Sequence, residues 1–176
     1  MSNSIEIIEK LVKVNRCTTV TKGGRKFSFS VIVVAGDKKG KVGYGFGKAT
    51  EVMDAKAKAL DKAKKNMLKI PLREGRTLHH DVVGKFCSGK IIMRAAIAGT
   101  GVIAGGSTRP LFEALGIKDI VAKSVGSNNP HNIIKAVIAG LQNMNTPKMI
   151  ADKRGKKLVD IASQREKLYN GVKHVK

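Results

Sequence analysis

Tryptophan is missing from this chain, and only five phenylalanines and two tyrosines are present. So few rings count against a mode of binding in which unpaired bases stack on an aromatic platform. The two cysteines, Cys17 and Cys87, stand far apart and without CxxC spacing. Neither a disulfide framework nor a zinc ribbon is signalled, and both read as ordinary small core or strand residues. No apolar run approaches the roughly 18 residues of a membrane span, and no signal-peptide core is visible. Two glutamates in the opening MSNSIEIIEK argue against a transit peptide, so a cytoplasmic protein is expected. Acidic residues are scarce: 13 Asp and Glu face 34 Lys and Arg, a formal net charge of +21. A field of that sign attracts nucleic acid or anionic membrane, and with no span in view the expected partner is nucleic acid.

What is present is concentrated first in residues 22–48, KGGRKFSFSVIVVAGDKKGKVGYGFGK. Phe27, Phe29, Val31 and Val33 alternate with Ser28, Ser30, Ile32 and Val34, the period of two that marks a strand. Asp37-Lys38-Lys39-Gly40 supplies turn chemistry. In the return strand Val42, Tyr44 and Phe46 share one face. Gly43, Gly45 and Gly47 leave the other bare, so that a second surface can approach the backbone. Cations ring the hairpin, with Lys22, Gly23, Gly24, Arg25 and Lys26 forming one basic loop and Lys38, Lys39, Lys41 and Lys48 following. These residues, with the three glycines of the return strand, are candidate RNA contacts.

The chain reads as α+β in two units. Residues 7–70 predict β-β-β-α, with a strand over 7–21, the hairpin, and a helix over 49–69 in which Met53, Leu60 and Met67 recur every seven residues and Ala55, Ala59 and Ala63 every four. Lys58, Lys62, Lys65 and Lys69 line one face of that helix. They either track a phosphate backbone or pair with Asp54 and Asp61 one turn away, each pair contributing about 0.2–0.5 kcal/mol. Beside a basic hairpin the first reading is preferred, and Lys58, Lys62 and Lys65 join the candidate contacts. Pro71 ends the helix, and a short polar link leads into residues 76–145, which predict β-β-α-β-α. Strands are expected over 80–87, 90–97 and 117–125. A short helix capped by Ser107 or Thr108 carries Leu111, Phe112 and Leu115 and stops at Gly116. Asn129-Pro130 starts the last helix, whose apolar face is Ile133, Ile134, Val137, Ile138 and Leu141. Residues 146–176 read as a basic tail.

Enzymatic readings are poorly supported. Gly43, Gly45 and Gly47 keep strand period rather than the spacing of a dinucleotide fingerprint, and no acidic residue closes a second strand to hold a ribose. The run Gly99-Thr100-Gly101-Val102-Ile103-Ala104-Gly105-Gly106-Ser107 opens a helix but lacks the Gly-Lys-Ser/Thr ending of a phosphate loop. His79-His80-Asp81 places neighbours on opposite faces of a strand, and no His or Cys pair completes a metal site. Glu51, Glu74 and Glu113 have no partner for acid–base work. No catalytic residue, metal, cofactor or small-molecule substrate is expected. A basic sheet crossed by a helix favours structured RNA read by shape, phosphate and 2′-OH, although DNA fits the same charge.

Two segments carry a more specific signal. KGGRKFSFSVIVVAGDKKGKVGYGFGKATEV and AGTGVIAGGSTRPLFEALGIKDIVAKSVGSNNPHNIIKAVIAGL closely resemble the signatures of the universal small-subunit ribosomal protein of family five (S-five), and TPKMIADKRGK resembles that family's tail. The resemblance runs from about Val14 to Val159. It implies an N-terminal domain similar to a double-stranded-RNA-binding fold and a C-terminal α+β domain with a left-handed β-α-β crossover, against the usual right-handed rule. It further implies a non-catalytic role in the small ribosomal subunit: binding ribosomal RNA where head meets body, contacting ribosomal proteins S-four and S-eight, and supporting decoding accuracy. By the same pattern the loop 22–26 reaches RNA, and Gly99, Thr100, Gly101, Gly105, Gly106 and Arg109 face S-four. Ala96-Ile97-Ala98 is less polar than the approach expected there, and the lack of long extensions suggests a bacterial-type source. The alternatives are a free double-stranded-RNA-binding regulator and, further off, a nucleotide-dependent enzyme.

Overall fold

In a computed structural model, residues 7–161 and 163 are described. The chain divides into a unit that ends at Gln142 and a second that begins at Asn143. The first unit opens with β1 (Ile8–Thr21) and β2 (Gly24–Gly36), antiparallel from Ile8 opposite Gly36 to Thr21 opposite Gly24. One irregularity, between Leu11 and Lys13, interrupts the ladder. After β2 the buried carboxylate of Asp37 accepts the N–H groups of Lys39 and Lys41, both at 2.8 Å. This side chain thereby closes the turn into β3 (Lys41–Ala49), which lies antiparallel to β2 with Val33 opposite Gly45.

Helix α1 (Val52–Lys65) is shorter than the expected 49–69. The chain leaves the helix at Asn66, and Leu68–Lys69 forms β4, pairing with Lys41 and Val42 of β3. Sheet pairing has overridden the helical spacing of Met67, and Lys69 belongs to a strand rather than to the lysine face. The stripe that packs is alanine: Ala55, Ala59 and Ala63 are fully buried, while Met53 is 71% exposed. Sheet one has the order β1-β2-β3-β4. Val31 and Val33 pack with Ala55 and Ala59 on its α1 side, and Ile32, Val34 and Val42 are buried on the other.

Sheet two has the order β5-β6-β8-β7, from β5 (Val82–Phe86), β6 (Gly89–Ala95), β7 (Val102–Ile103) and β8 (Ile120–Gly126). The expected β-β-α-β-α order is thus observed with one addition, β7, which runs parallel to β8. Helix α2 (Arg109–Leu115) joins these two strands and ends at Gly116 in the left-handed conformation, φ 93°. Cys87 is not a strand residue: it sits exposed in the β5–β6 turn at φ 50°. Cys17 lies within β1, its Sγ 3.7 Å from Ser30 Oγ. In α3 (Pro130–Gln142) Ile133, Ile134, Val137, Ile138 and Leu141 are all buried, as their spacing predicts. Asn129 Oδ1 accepts the N–H of His131 at 3.1 Å and caps that helix.

The two sheets meet inside the first unit. Lys38 and Gly40 donate their N–H groups to the carbonyls of Ala114 and Leu115 at 3.0 and 3.1 Å, and Gly36 lies against Ala114. His131 meets Tyr44 and Phe46 edge-on, with ring centroids 6.3 and 5.9 Å apart. In the second unit, part of the expected tail is helical. Thr146 Oγ1 accepts the Met149 N–H at 3.2 Å, and α4 (Pro147–Arg154) follows, with Ala151 buried. Proline at the first helical position and a threonine cap overcome the charge of this segment. The remainder of that tail, residues 164–176, and the opening residues 1–6 lie outside the described residues.

Candidate nucleic-acid interface

The candidate cations form separate clusters. Lys22, Gly23, Gly24, Arg25 and Lys26 make the exposed β1–β2 tip. Behind it Arg16 stacks over Phe27, its guanidinium carbon 3.8 Å from the ring centroid. Phe27 is 44% and Phe46 40% exposed, so two of the hairpin's four rings, Phe27, Phe29, Tyr44 and Phe46, remain accessible. Arg16, unremarked in the sequence, stiffens the approach to the tip through this contact.

Lys38 and Lys39 lie at the other end of β2, about 40 Å away for a strand of this length. Their side chains are exposed, but the backbone of their turn is the seam to α2 described above. Lys41 is half-buried and Lys48 exposed. On α1, Lys58, Lys62 and Lys65 are exposed, and neither the Asp54–Lys58 nor the Asp61–Lys65 pair occurs among the ion pairs of the described residues. The helix cation that does pair is Lys56, with Glu9 of β1 at 3.8 Å.

Gly43, Gly45 and Gly47 require a correction as RNA contacts. They are buried against α1 of the same chain. A Cβ at these positions would stand 2.1, 1.8 and 2.1 Å from the carbonyl oxygens of Ala63, Ala59 and Ala55. The expected close approach is real, but the approaching surface is the chain's own helix, and the bare face is closed to RNA.

The loop 99–109 is organised by a residue that no sequence pattern singles out. Asp119, whose side chain is 2% exposed, accepts the N–H groups of Gly99 and Gly101 at 2.9 and 3.0 Å and the Nε–H of Arg76. The Arg76 bond, then the glycine N–H groups, hold the carboxyl below the usual aspartate range. The Arg76 carbonyl in turn accepts the N–H of Lys118 at 2.9 Å. Gly99 and Gly101 take φ of 94° and 74°, which a residue with a Cβ adopts only under strain. Gly105 and Gly106 are exposed, with open space where a Cβ would stand. Thr108 occupies the cap position of α2, yet its hydroxyl donates to the Gly105 carbonyl at 3.0 Å instead of capping a helix N–H. Arg109 is bonded within its own helix, to Glu113 at 3.0 Å, and Lys10 of β1 reaches Glu113 at 3.3 Å. The bond from Arg109 and the proximity of Lys10 lower the Glu113 pKa, against the opposing effect of its partial burial. Thr100 turns back on Ile97, donating to its carbonyl at 2.7 Å.

The glycines that invited a nucleotide fingerprint lie mid-strand, not at a helix start. Asp81 accepts the Ala95 N–H at 3.1 Å and lies 3.9 Å from Arg94, while His80 Nδ1 shares a hydrogen bond with the Asp81 carbonyl. Among the described residues no helix is long and apolar enough to cross a membrane.

Fold and charge define a basic α+β protein of two four-stranded sheets with cations gathered at one hairpin tip and along one helix. Family models match both sheets: "Ribosomal protein S5, N-terminal domain" over residues 7–71 and "Ribosomal protein S5, C-terminal domain" over 84–154. The chain is 59% identical over 163 residues to the small ribosomal subunit protein uS5 of Wolbachia sp. subsp. Brugia malayi (strain TRS), spanning 93% of this chain and 96% of that one. It is 58% identical to the uS5 of Wolbachia pipientis wMel, spanning 94% and 97%, and 57% identical to that of Ehrlichia canis (strain Jake), spanning 89% and 90%. The chain belongs to the ribosomal protein S5 family, in its bacterial form, a family of structural proteins rather than enzymes.

Proposed function

We propose that this protein is a structural, non-catalytic constituent of the small ribosomal subunit in the cytoplasm. It binds ribosomal RNA where head meets body, contacts ribosomal proteins S-four and S-eight, and supports translational accuracy. The hairpin tip at Lys22, Arg25 and Lys26 and the α1 lysines Lys58, Lys62 and Lys65 lie on phosphate. The loop 99–109 faces S-four, with the part of Arg109 left exposed by Glu113. The observation that carries this reading is that Lys58, Lys62 and Lys65 stay out of ion pairs although Asp54 and Asp61 are within one turn. Cations kept free beside available carboxylates suit a polyanion better than a solvated helix face. Co-sedimentation of the native protein with small ribosomal subunits at moderate salt tests the reading. The protein should pellet with the subunit. A protein left in the supernatant that still binds naked RNA duplexes would instead be a free regulator.

A further inference from the structure

Sheet two has one face that no helix of the first unit covers. α3 packs on β5 and β6 through Gly84, where a Cβ would stand 2.0 Å from the Ala136 carbonyl oxygen, and through buried Ile91 and Met93. Alternation along the strands sends the other residues outward. The strand register places Lys85 opposite Lys90, Ile92 opposite Lys123, and Arg94 opposite Val121. All four cations are exposed, and Val83, Val121 and Val125 between them are 57%, 36% and 48% exposed. Each cation is a direct or diagonal neighbour of the next, so Lys85, Lys90, Lys123 and Arg94 form a band across three strands. Among the described residues the only carboxylate paired to the band is Asp81, 3.9 Å from Arg94.

Two features of the band point to its partner. Like charges directly opposite on neighbouring strands destabilise a sheet, and Lys85 and Lys90 stand in that relation with no carboxylate paired to either among the described residues. Lysine is also depleted from protein–protein interfaces, which disfavours a protein occupant. Exposed valines without an aromatic ring offer no platform for unpaired bases. We propose that this open face is a second RNA-binding surface, which takes the phosphate backbone of a structured RNA across Lys85, Lys90, Lys123 and Arg94, independently of the hairpin tip and α1. The proposal rests on the ribosomal reading above for the presence of RNA but concerns residues that reading does not use.

The test uses the full chain and full-length small-subunit ribosomal RNA, with affinity measured as salt is raised. Replacing Lys85, Lys90 and Lys123 together by Gln should lower the log–log salt slope by about 2, since each phosphate contact contributes about 0.7–0.9. The same three positions changed to Arg should restore the slope. Lys90→Gln alone should raise the melting temperature of the RNA-free protein, because it removes one member of a like-charge pair, and a fall would contradict the argument from that pair. A native protein with a steep slope that the triple Gln variant leaves unchanged would overturn this proposal while the broader reading stands; a flat native response would overturn both. Acylation of Lys90 should slow when naked RNA is added. Protection found only in the assembled subunit, and not with naked RNA, would place a protein on the face and overturn the RNA assignment.

Discussion

Two glycine-rich segments of this chain use the same residue for opposite ends. In β3, Gly43, Gly45 and Gly47 have ordinary strand geometry but no room: helix carbonyls occupy the space a Cβ would need. In the loop at 99–106 there is room, with nothing within 4 Å of a Cβ at Gly99, Gly101, Gly105 or Gly106. There only Gly99 and Gly101 need glycine, and they need it for their left-handed backbone. The first segment is a packing surface in which glycine serves by absence of volume. The second is an open loop shaped by backbone conformation and pinned by Asp119. A motif count treats the two alike; what separates them is whether a helix lies above.

The sharpest way to break this contrast is to add one methyl group to β3. Gly45→Ala puts a carbon 1.8 Å from the Ala59 carbonyl oxygen and 2.7 Å from the Ala63 nitrogen. Backbone atoms of a packed helix have no rotamer to change, so α1 must lift off the sheet. A loss of about 3 kcal/mol or more is expected, at the upper end of overpacking costs, read as a lower urea midpoint. An unchanged midpoint would mean that α1 does not pack on β3 as described.

How much of this was legible beforehand varies with the range of the interaction involved. The hairpin, α2 and α3 follow from local pattern: alternation over 27–34, Asn129-Pro130 as a start, and an apolar face that is buried at every position named. The bareness of the β3 face was legible too. That α1 covers it was not, since nothing in residues 43–47 says which surface arrives. β4 was hidden because Met67 continues a heptad from Met53 and Leu60, and its two residues become a strand only through pairing with Lys41 and Val42. β7 is two residues long, too short for any periodicity. In the candidate site, the tip and the α1 lysines could be named from charge alone. Asp119 could not, because its partners Arg76, Gly99 and Gly101 lie 18 to 43 residues away in the chain.

The open loop should break next at Asp119. Asp119→Asn keeps the size of the side chain but removes the charge that Arg76 and two N–H groups converge on, so the melting temperature should fall, though by less than for Gly45→Ala. The pH dependence identifies the cause. The folded pKa of Asp119 is depressed, so its contribution is fully present above the ordinary aspartate value of about 3.9 and is lost as pH falls through the lower folded pKa. The native protein should therefore lose stability in that acid range more steeply than Asp119→Asn does. Parallel acid limbs for the two proteins would remove Asp119 from the account of the loop.

The smallest effects on folding distinguish glycines within the loop itself. Gly101→Ala must hold φ at 74° with a Cβ, at a cost of about 1–2 kcal/mol. Gly105→Ala meets neither obstacle: its φ is outside the left-handed region and nothing stands within 4 Å. Its stability should stay within about 0.5 kcal/mol of the native value, as for surface changes away from special features. If the loop is a presenting surface, however, a methyl group there intrudes on whatever lies opposite. Gly105→Ala should then weaken incorporation into small subunits, or shift miscoding rates, in a protein whose unfolding curve is native. Normal stability together with normal assembly and fidelity would show that Gly105 faces solvent, and the proposed contact would have to be confined to Gly99, Thr100, Gly101, Gly106 and Arg109.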